Sequence, residues 1–96
     1  MSATFKVDRC FVLPHRGLFV LAGAIAEGMV QIGMHAELGE AEGGFAARVH
    51  GVEFVDRLTG IPGTSGPALT FSYGNEAELQ RWRSIEWPGR ELRLTW

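Results

Sequence analysis

The stretch Gly17 to Leu38, GLFVLAGAIAEGMVQIGMHAEL, carries glycines at 23, 28 and 33, five residues apart, between short apolar runs. Apolar runs of this length, punctuated by a residue that tolerates bends and turns, read as strand, turn, strand. Leu18 to Ala26 is apolar at nearly every position, so a two-residue period cannot orient it. Such a strand is either covered on both faces or lies in a closed barrel with small outward side chains. Glu27-Gly28 then turns the chain, Met29 to Ile32 makes a short strand ending at Gly33, and Ala36 and Leu38 continue the alternation.

Working outward, Phe5, Val7, Phe11 and Leu13 alternate with polar or charged neighbours around Asp8-Arg9-Cys10. This pattern predicts one strand with an irregularity in its middle. Pro14-His15-Arg16-Gly17 is a turn, its proline stiffening the entry and its glycine tolerating positive φ. Downstream, Gly39 to Gly44 reads as a hairpin-like loop. Phe45, Ala47 and Val49 share one strand face, and Val52 and Phe54 take the opposite parity across His50-Gly51. A parity change at a glycine is the mark of a β-bulge, which keeps the core face through a bend. Thr59 to Pro67, TGIPGTSGP, is an irregular loop, and Ala68 to Tyr73 is a strand. Asn75 with Glu78 three residues on has the spacing of a capped helix start, and Leu79, Trp82 and Arg83 share a face of that helix. Pro88-Gly89 ends it, and Leu92, Leu94 and Trp96 then mark a terminal strand with one buried face. The total is an all-β chain of six or seven short strands with one short helix near the C-terminus, a barrel or a sandwich.

Ninety-six residues form one domain, 1–96, with a single core. The apolar fraction of 46% and charged fraction of 21% are those of an ordinary globular protein. The single Cys10 has no partner for an internal disulfide, which fits a reducing, cytoplasmic setting. The opening MSATFKVDRC lacks the basic and apolar regions of a signal peptide. The apolar run Leu18 to Ala26 is about half the ~20 residues of a membrane span, so no membrane helix is expected. Net charge is −2, and Ala26 to Ala47 holds Glu27, Glu37, Glu40 and Glu42 with no Lys or Arg. That balance disfavours nucleic acid, whose binding depends on neutralised phosphates.

The side chains capable of chemistry do not form a motif. His15, His35 and His50, with Glu37 and Glu53, lack the helical spacing of a ligand pair. Cys10 would need His15 as its base, but five strand residues span ~16 Å. A buried small hydrophobe is the better reading. Gly60 to Gly66 contains no Lys and reads as a loop rather than a phosphate cradle. No cofactor or metal is expected. The strongest concentration is Arg81, Trp82, Arg83, Trp87, Arg90, Arg93 and Trp96. Arginine interleaved with tryptophan suits a recognition surface. Under the plainer reading, Trp82 and Trp96 complete the core and the arginines pair with Glu76, Glu78, Glu86 and Glu91, while Trp87 beside Pro88 stays partly exposed. Four acids against four arginines favour that reading.

Arg16-Gly17, Val20 through Gly23, Ile25, Gly28, Val30, Ile32-Gly33, His50-Gly51-Val52-Glu53-Phe54 and Pro88-Gly89-Arg90-Glu91-Leu92 together resemble the second domain of translational GTPases, the β-barrel of elongation factor Tu and its relatives. The resemblance implies a small closed barrel of six to seven strands, with the glycines at its bends. No Gly-x-x-x-x-Gly-Lys-Ser/Thr loop is present, so the likeness is to the barrel without its GTPase. Where relatives carry Gly-Glu-Asn, this chain has Gly66-Pro67-Ala68. The implied role is a non-catalytic binding or accessory module for a protein or RNA component of translation, with Arg81, Arg83, Trp87, Arg90 and Arg93 as partner-binding residues and a monomer or weak homodimer as the assembly. The alternative class is a small ligand- or metal-binding enzyme barrel using His15, His35 and Glu53.

Overall fold

The computed structural model describes residues 2–37, 47–60 and 66–96. The loop expected over Gly39 to Gly44, together with Leu38, Phe45 and the centre of TGIPGTSGP, lies outside them. Among the described residues there are seven strands: β1 (Ser2–Leu13), β2 (Leu18–Glu27), β3 (His35–Glu37), β4 (Ala47–Arg48), β5 (Gly51–Phe54), β6 (Pro67–Ser72) and β7 (Glu91–Thr95). A 3-10 turn, Pro14–Arg16, joins β1 to β2, and two helices follow, α1 (Val55–Thr59) and α2 (Glu76–Arg83). The strands form one antiparallel sheet in the order β4-β3-β7-β1-β2-β6-β5.

β1 is the spine of this sheet. It pairs with β2 from Thr4 to Leu13 and with β7 from Ser2 to Lys6, so that Ser2 lies opposite Thr95. The irregularity expected around Asp8 is real: the β1–β2 register slips between Val7 and Arg9. Gly23 is the residue that permits it. A Cβ there would stand 1.9 Å from the Lys6 carbonyl oxygen, so only glycine allows this approach of the two backbones. Gly28 closes the strand at φ 74°, with its α-carbon packed so tightly on Ser2 and Ala3 that a Cβ would meet the Ser2 oxygen at 2.5 Å.

The segment after Gly28 is not the expected strand. Gly28 and Gly33 both take positive φ and bracket it, and the Met34 N–H donates back to the Gln31 carbonyl at 3.2 Å. Met29 to Ile32 is therefore an irregular turn that buries Val30 and leaves Met29 and Ile32 largely exposed, and extended structure resumes at His35.

The expected closed barrel also needs correcting: the sheet is a curled half-barrel. β4 and β5 are the two ends of its hydrogen-bonded order and do not pair with each other. They are consecutive in the chain, separated only by Val49 and His50. Val49 exchanges hydrogen bonds with Gly33 and Met34 on the β3 side, both at 2.9 Å, while the His50 N–H donates to the Thr70 carbonyl on the β6 side at 2.7 Å. The bend at His50-Gly51, inferred above from parity, hands the chain from one end of the sheet to the other. Val52 packs against the core, but Phe54 is 58% exposed, not buried beside it.

Phe5, Val7, Phe19, Leu21, Leu69, Phe71, Leu92 and Leu94 line the concave face, with Leu79, Trp82 and Trp87 set into it. Two expectations about tryptophan are reversed. Trp87 is fully buried and Trp96 is 61% exposed. Trp87 stacks on Trp82 at 5.7 Å between ring centroids, Phe19 and Phe71 flank Trp82 at 5.2 and 4.7 Å, and the Trp87 indole N–H donates to the Trp82 carbonyl at 2.7 Å. That hydrogen bond satisfies the one polar atom whose burial would otherwise be costly. Trp96 follows Thr95, the last β7 residue with a ladder partner, and its ring lies beside Gly33 rather than in the core.

β2 is covered on both faces from Leu18 to Ala22, while Ala24 to Glu27 are exposed. Phe19 and Leu21 point to the main core, while Val20 and Ala22 join Ala68 and Val55 in a second cluster with Phe11, Leu13 and Leu58 packed against it. Val55 and Leu58 come from α1, a single helical turn that the sequence reading left out. With five residues and no side-chain N-cap, it carries little local signal.

Candidate binding groove

α2 positions most of the polar side chains of interest. Asn75 caps it as its spacing predicts, its side-chain oxygen accepting the Glu78 N–H at 2.9 Å. The Glu78 carboxylate in turn accepts the Gly74 N–H at 2.6 Å. Leu79 and Trp82 anchor the helix in the core. Its flanks are tied to the first hairpin, through Tyr73 N–H to the carbonyl of Gly17 at the β1–β2 turn at 3.0 Å and Gly89 N–H to the Val7 carbonyl in β1 at 2.8 Å.

The five residues expected to form one partner surface do not share one. Arg81 and Arg83 are two residues apart on a helix, roughly 200° around the axis, so they open on opposite flanks. Arg81 lines a cavity of about 340 Å³ with Arg48, Glu78, Phe71 and Ser72. Arg83 lines a groove of about 620 Å³ with Cys10, Val12, Tyr73, Glu76 and Leu79. Arg93 projects from β7 and pairs with Glu37 of β3 at 3.6 Å. Arg90 is half-buried before β7, its Nε donating to the Glu86 carbonyl at 3.3 Å. Trp87 is inside the core and offers a partner no exposed face. The expected local pairing with neighbouring acids also differs: Glu76 holds Gln80 at 3.0 Å and Glu78 holds a backbone N–H, while Arg93 finds its acid on another strand.

The histidines are distributed as well. His15 is exposed on the 3-10 turn, His35 is half-buried on β3 opposite Arg48 and Thr95, and His50 is exposed in the β4–β5 link. Glu53 faces Arg16 at 3.7 Å. His15, His35 and Glu53 are not gathered into a ligand set, and no group of three or more His, Cys, Asp or Glu among the described residues could hold a metal ion. No helix among the described residues is long and apolar enough to cross a membrane.

The Cys10 thiol has a displaced pKa. The buried position expected for it is not what the strand gives: its residue is exposed beyond the end of the β7 ladder, yet the partial burial of its thiol in the groove raises the pKa above the ordinary value of 9.0. The groove disfavours the thiolate, which argues against Cys10 as a resting nucleophile. The groove walls were missed in the sequence, although the mismatch in length between a twelve-residue first strand and a five-residue last strand held the signal. No protein-family model, no curated protein and no solved structure matches this chain.

Proposed function

We propose that this protein is a non-catalytic binding module of the cytoplasm, built on the type of curled sheet found in the second domain of translational GTPases, and that it engages a protein component of translation. The observation that carries the binding role is the groove between β1 and α2, in which an apolar lining of Phe11, Val12, Phe19 and Leu79 is bordered by Glu76 and Arg83. An apolar depression with few, well-placed polar groups is the general form of a recognition site. The spread of histidines and carboxylates over separate elements supports binding over catalysis. A protein partner is favoured over RNA by the net charge of −2 and by the dispersal of the arginines. The translational assignment rests on the glycine-based likeness.

The experiment is affinity capture from lysate at low salt with the wild-type chain and an Arg83→Glu variant. Ribosomal proteins or translation factors should be recovered by the wild type and depleted with the variant. Recovery of no translation component removes the translational reading. Equal recovery by both proteins removes the groove as the contact surface.

A further inference from the structure

We propose that the groove between β1 and α2 takes an extended peptide segment, which adds as a strand along Arg9 to Leu13 and places a basic residue against Glu76 and an acidic residue against Arg83. This rests on the reading of the protein as a binding module and specifies its ligand.

The first observation is a free strand edge. β1 has neighbours on both sides only as far as Lys6, where the β7 ladder ends; Val7 then bonds to the Gly89-Arg90 turn. From Arg9 to Leu13, β2 is the strand's sole ladder partner among the described residues. Alternate N–H and C=O groups of that stretch face away from β2, and a row of such groups is a template for another strand.

The second is that the groove runs along this edge. Cys10, Phe11, Val12 and Pro14 all line it. Consecutive strand residues point to opposite faces, so a depression touching three in succession lies beside the backbone, not over one face. The opposite wall is a single helical stripe, Glu76, Leu79 and Arg83, at i, i+3 and i+7. The bonds from Tyr73 to Gly17 and from Gly89 to Val7 hold α2 across the strand, running opposite to it, so the Glu76 end lies toward Pro14 and the Arg83 end toward Cys10.

Charge selects the occupant and its direction. Seven residues of helix rise about 10.5 Å, and strand positions one, three and five, which share a face, span about 13 Å. Long charged side chains absorb the difference. A strand antiparallel to β1 enters at the Glu76 end, so its first facing residue is basic, its third is apolar against Leu79, and its fifth is acidic against Arg83.

The test uses the full chain and three probes: acetyl-Lys-Thr-Val-Thr-Glu-amide, its reversed sequence acetyl-Glu-Thr-Val-Thr-Lys-amide, and acetyl-Lys-Thr-Val-Thr-Lys-amide. Amide shifts on titration report the site, and alkylation of Cys10, the single cysteine, reports occupancy in the unmutated protein. The first peptide should shift amides of Arg9 to Leu13 and Glu76 to Arg83, slow Cys10 alkylation, and bind about three- to tenfold more tightly than the reversed peptide. Arg83→Glu should invert the preference in favour of the peptide with Lys at both ends. Absence of shifts and of protection at millimolar peptide overturns the proposal, as does equal affinity for all three peptides or a response confined to other residues. Capture of translation components without peptide binding would sink the groove assignment alone. Peptide binding without such capture would sink the translational partner alone.

Discussion

Replacing Trp87 with Phe tests the packing that departs furthest from what its position beside Pro88 suggests. The indole is fully buried, stacked on Trp82 at 5.7 Å and hydrogen-bonded to the Trp82 carbonyl at 2.7 Å. Phe keeps a ring but loses that bond, worth about 1 kcal/mol net. It also loses part of the indole's apolar surface, about 1 kcal/mol by area, and leaves a small void whose lining collapses only partly. The sum is about 2 to 3 kcal/mol, against a total of roughly 5 to 14 kcal/mol for a domain of this length. At ~4–8 °C per kcal/mol, the melting temperature falls by about 10 to 20 °C. The assay is urea and thermal unfolding followed by circular dichroism, since fluorescence would be altered by the substitution itself. Trp96→Phe is the control. With its side chain 61% exposed, it should stay within about 0.5 kcal/mol of wild type. A Trp87→Phe variant as stable as the Trp96→Phe control would refute the placement of Trp87 in the core.

Gly23→Ala should cost about 2 to 3 kcal/mol in urea unfolding, because its Cβ would stand 1.9 Å from the Lys6 oxygen and the β1–β2 backbones must move apart. Gly60→Ala, whose Cβ meets nothing within 4 Å but whose φ is +71°, should cost only about 1 to 2 kcal/mol, and the reverse ranking would discredit the β1–β2 register. Asn75→Ala removes the cap on α2 and should destabilise by about 1 kcal/mol; no change would mean that the Glu78 bond to Gly74 holds the helix start alone. Iodoacetamide labelling of Cys10 should rise with pH to a midpoint above 9.0, since burial favours the neutral thiol. A midpoint at or below that of a free cysteine would show that the groove leaves the sulfur solvated.

Local features were legible because they depend on neighbours in sequence. The Asp8 irregularity followed from the split alternation of Phe5, Val7, Phe11 and Leu13, and the α2 start from Asn75, whose side chain makes the cap bond its spacing predicts, while Glu78 reaches one residue further back, to the Gly74 N–H. The apolarity of β2 held for two covered faces only from Leu18 to Ala22, with Ala24 to Glu27 exposed, and it did not show what covers the second face. Its cover includes α1, one turn long and uncapped by a side chain. What failed depends on distant partners. Composition cannot show that Arg93 meets Glu37 across a strand pair, or that the Val49-His50 link divides its hydrogen bonds between opposite ends of a sheet. The two tryptophans changed places because hydrogen bonding and strand ends, not alternation, decide their burial. The arginine cluster was real in sequence and dissolved in space, since positions 81 and 83 turn to opposite flanks of one helix.

The pairing of β1 with β7 places the first and last strands side by side in the interior of the sheet, Ala3 opposite Leu94. During synthesis, the first strand therefore waits for the last. Until Glu91 to Thr95 has emerged, β3 and the first half of β1 both lack the neighbour that lies between them. Contacts of such sequence separation carry the full loop-closure cost before they return any stabilisation, which slows folding. Until then the chain holds an incomplete core with unpaired strand edges, the state in which strand-rich domains are most prone to associate wrongly.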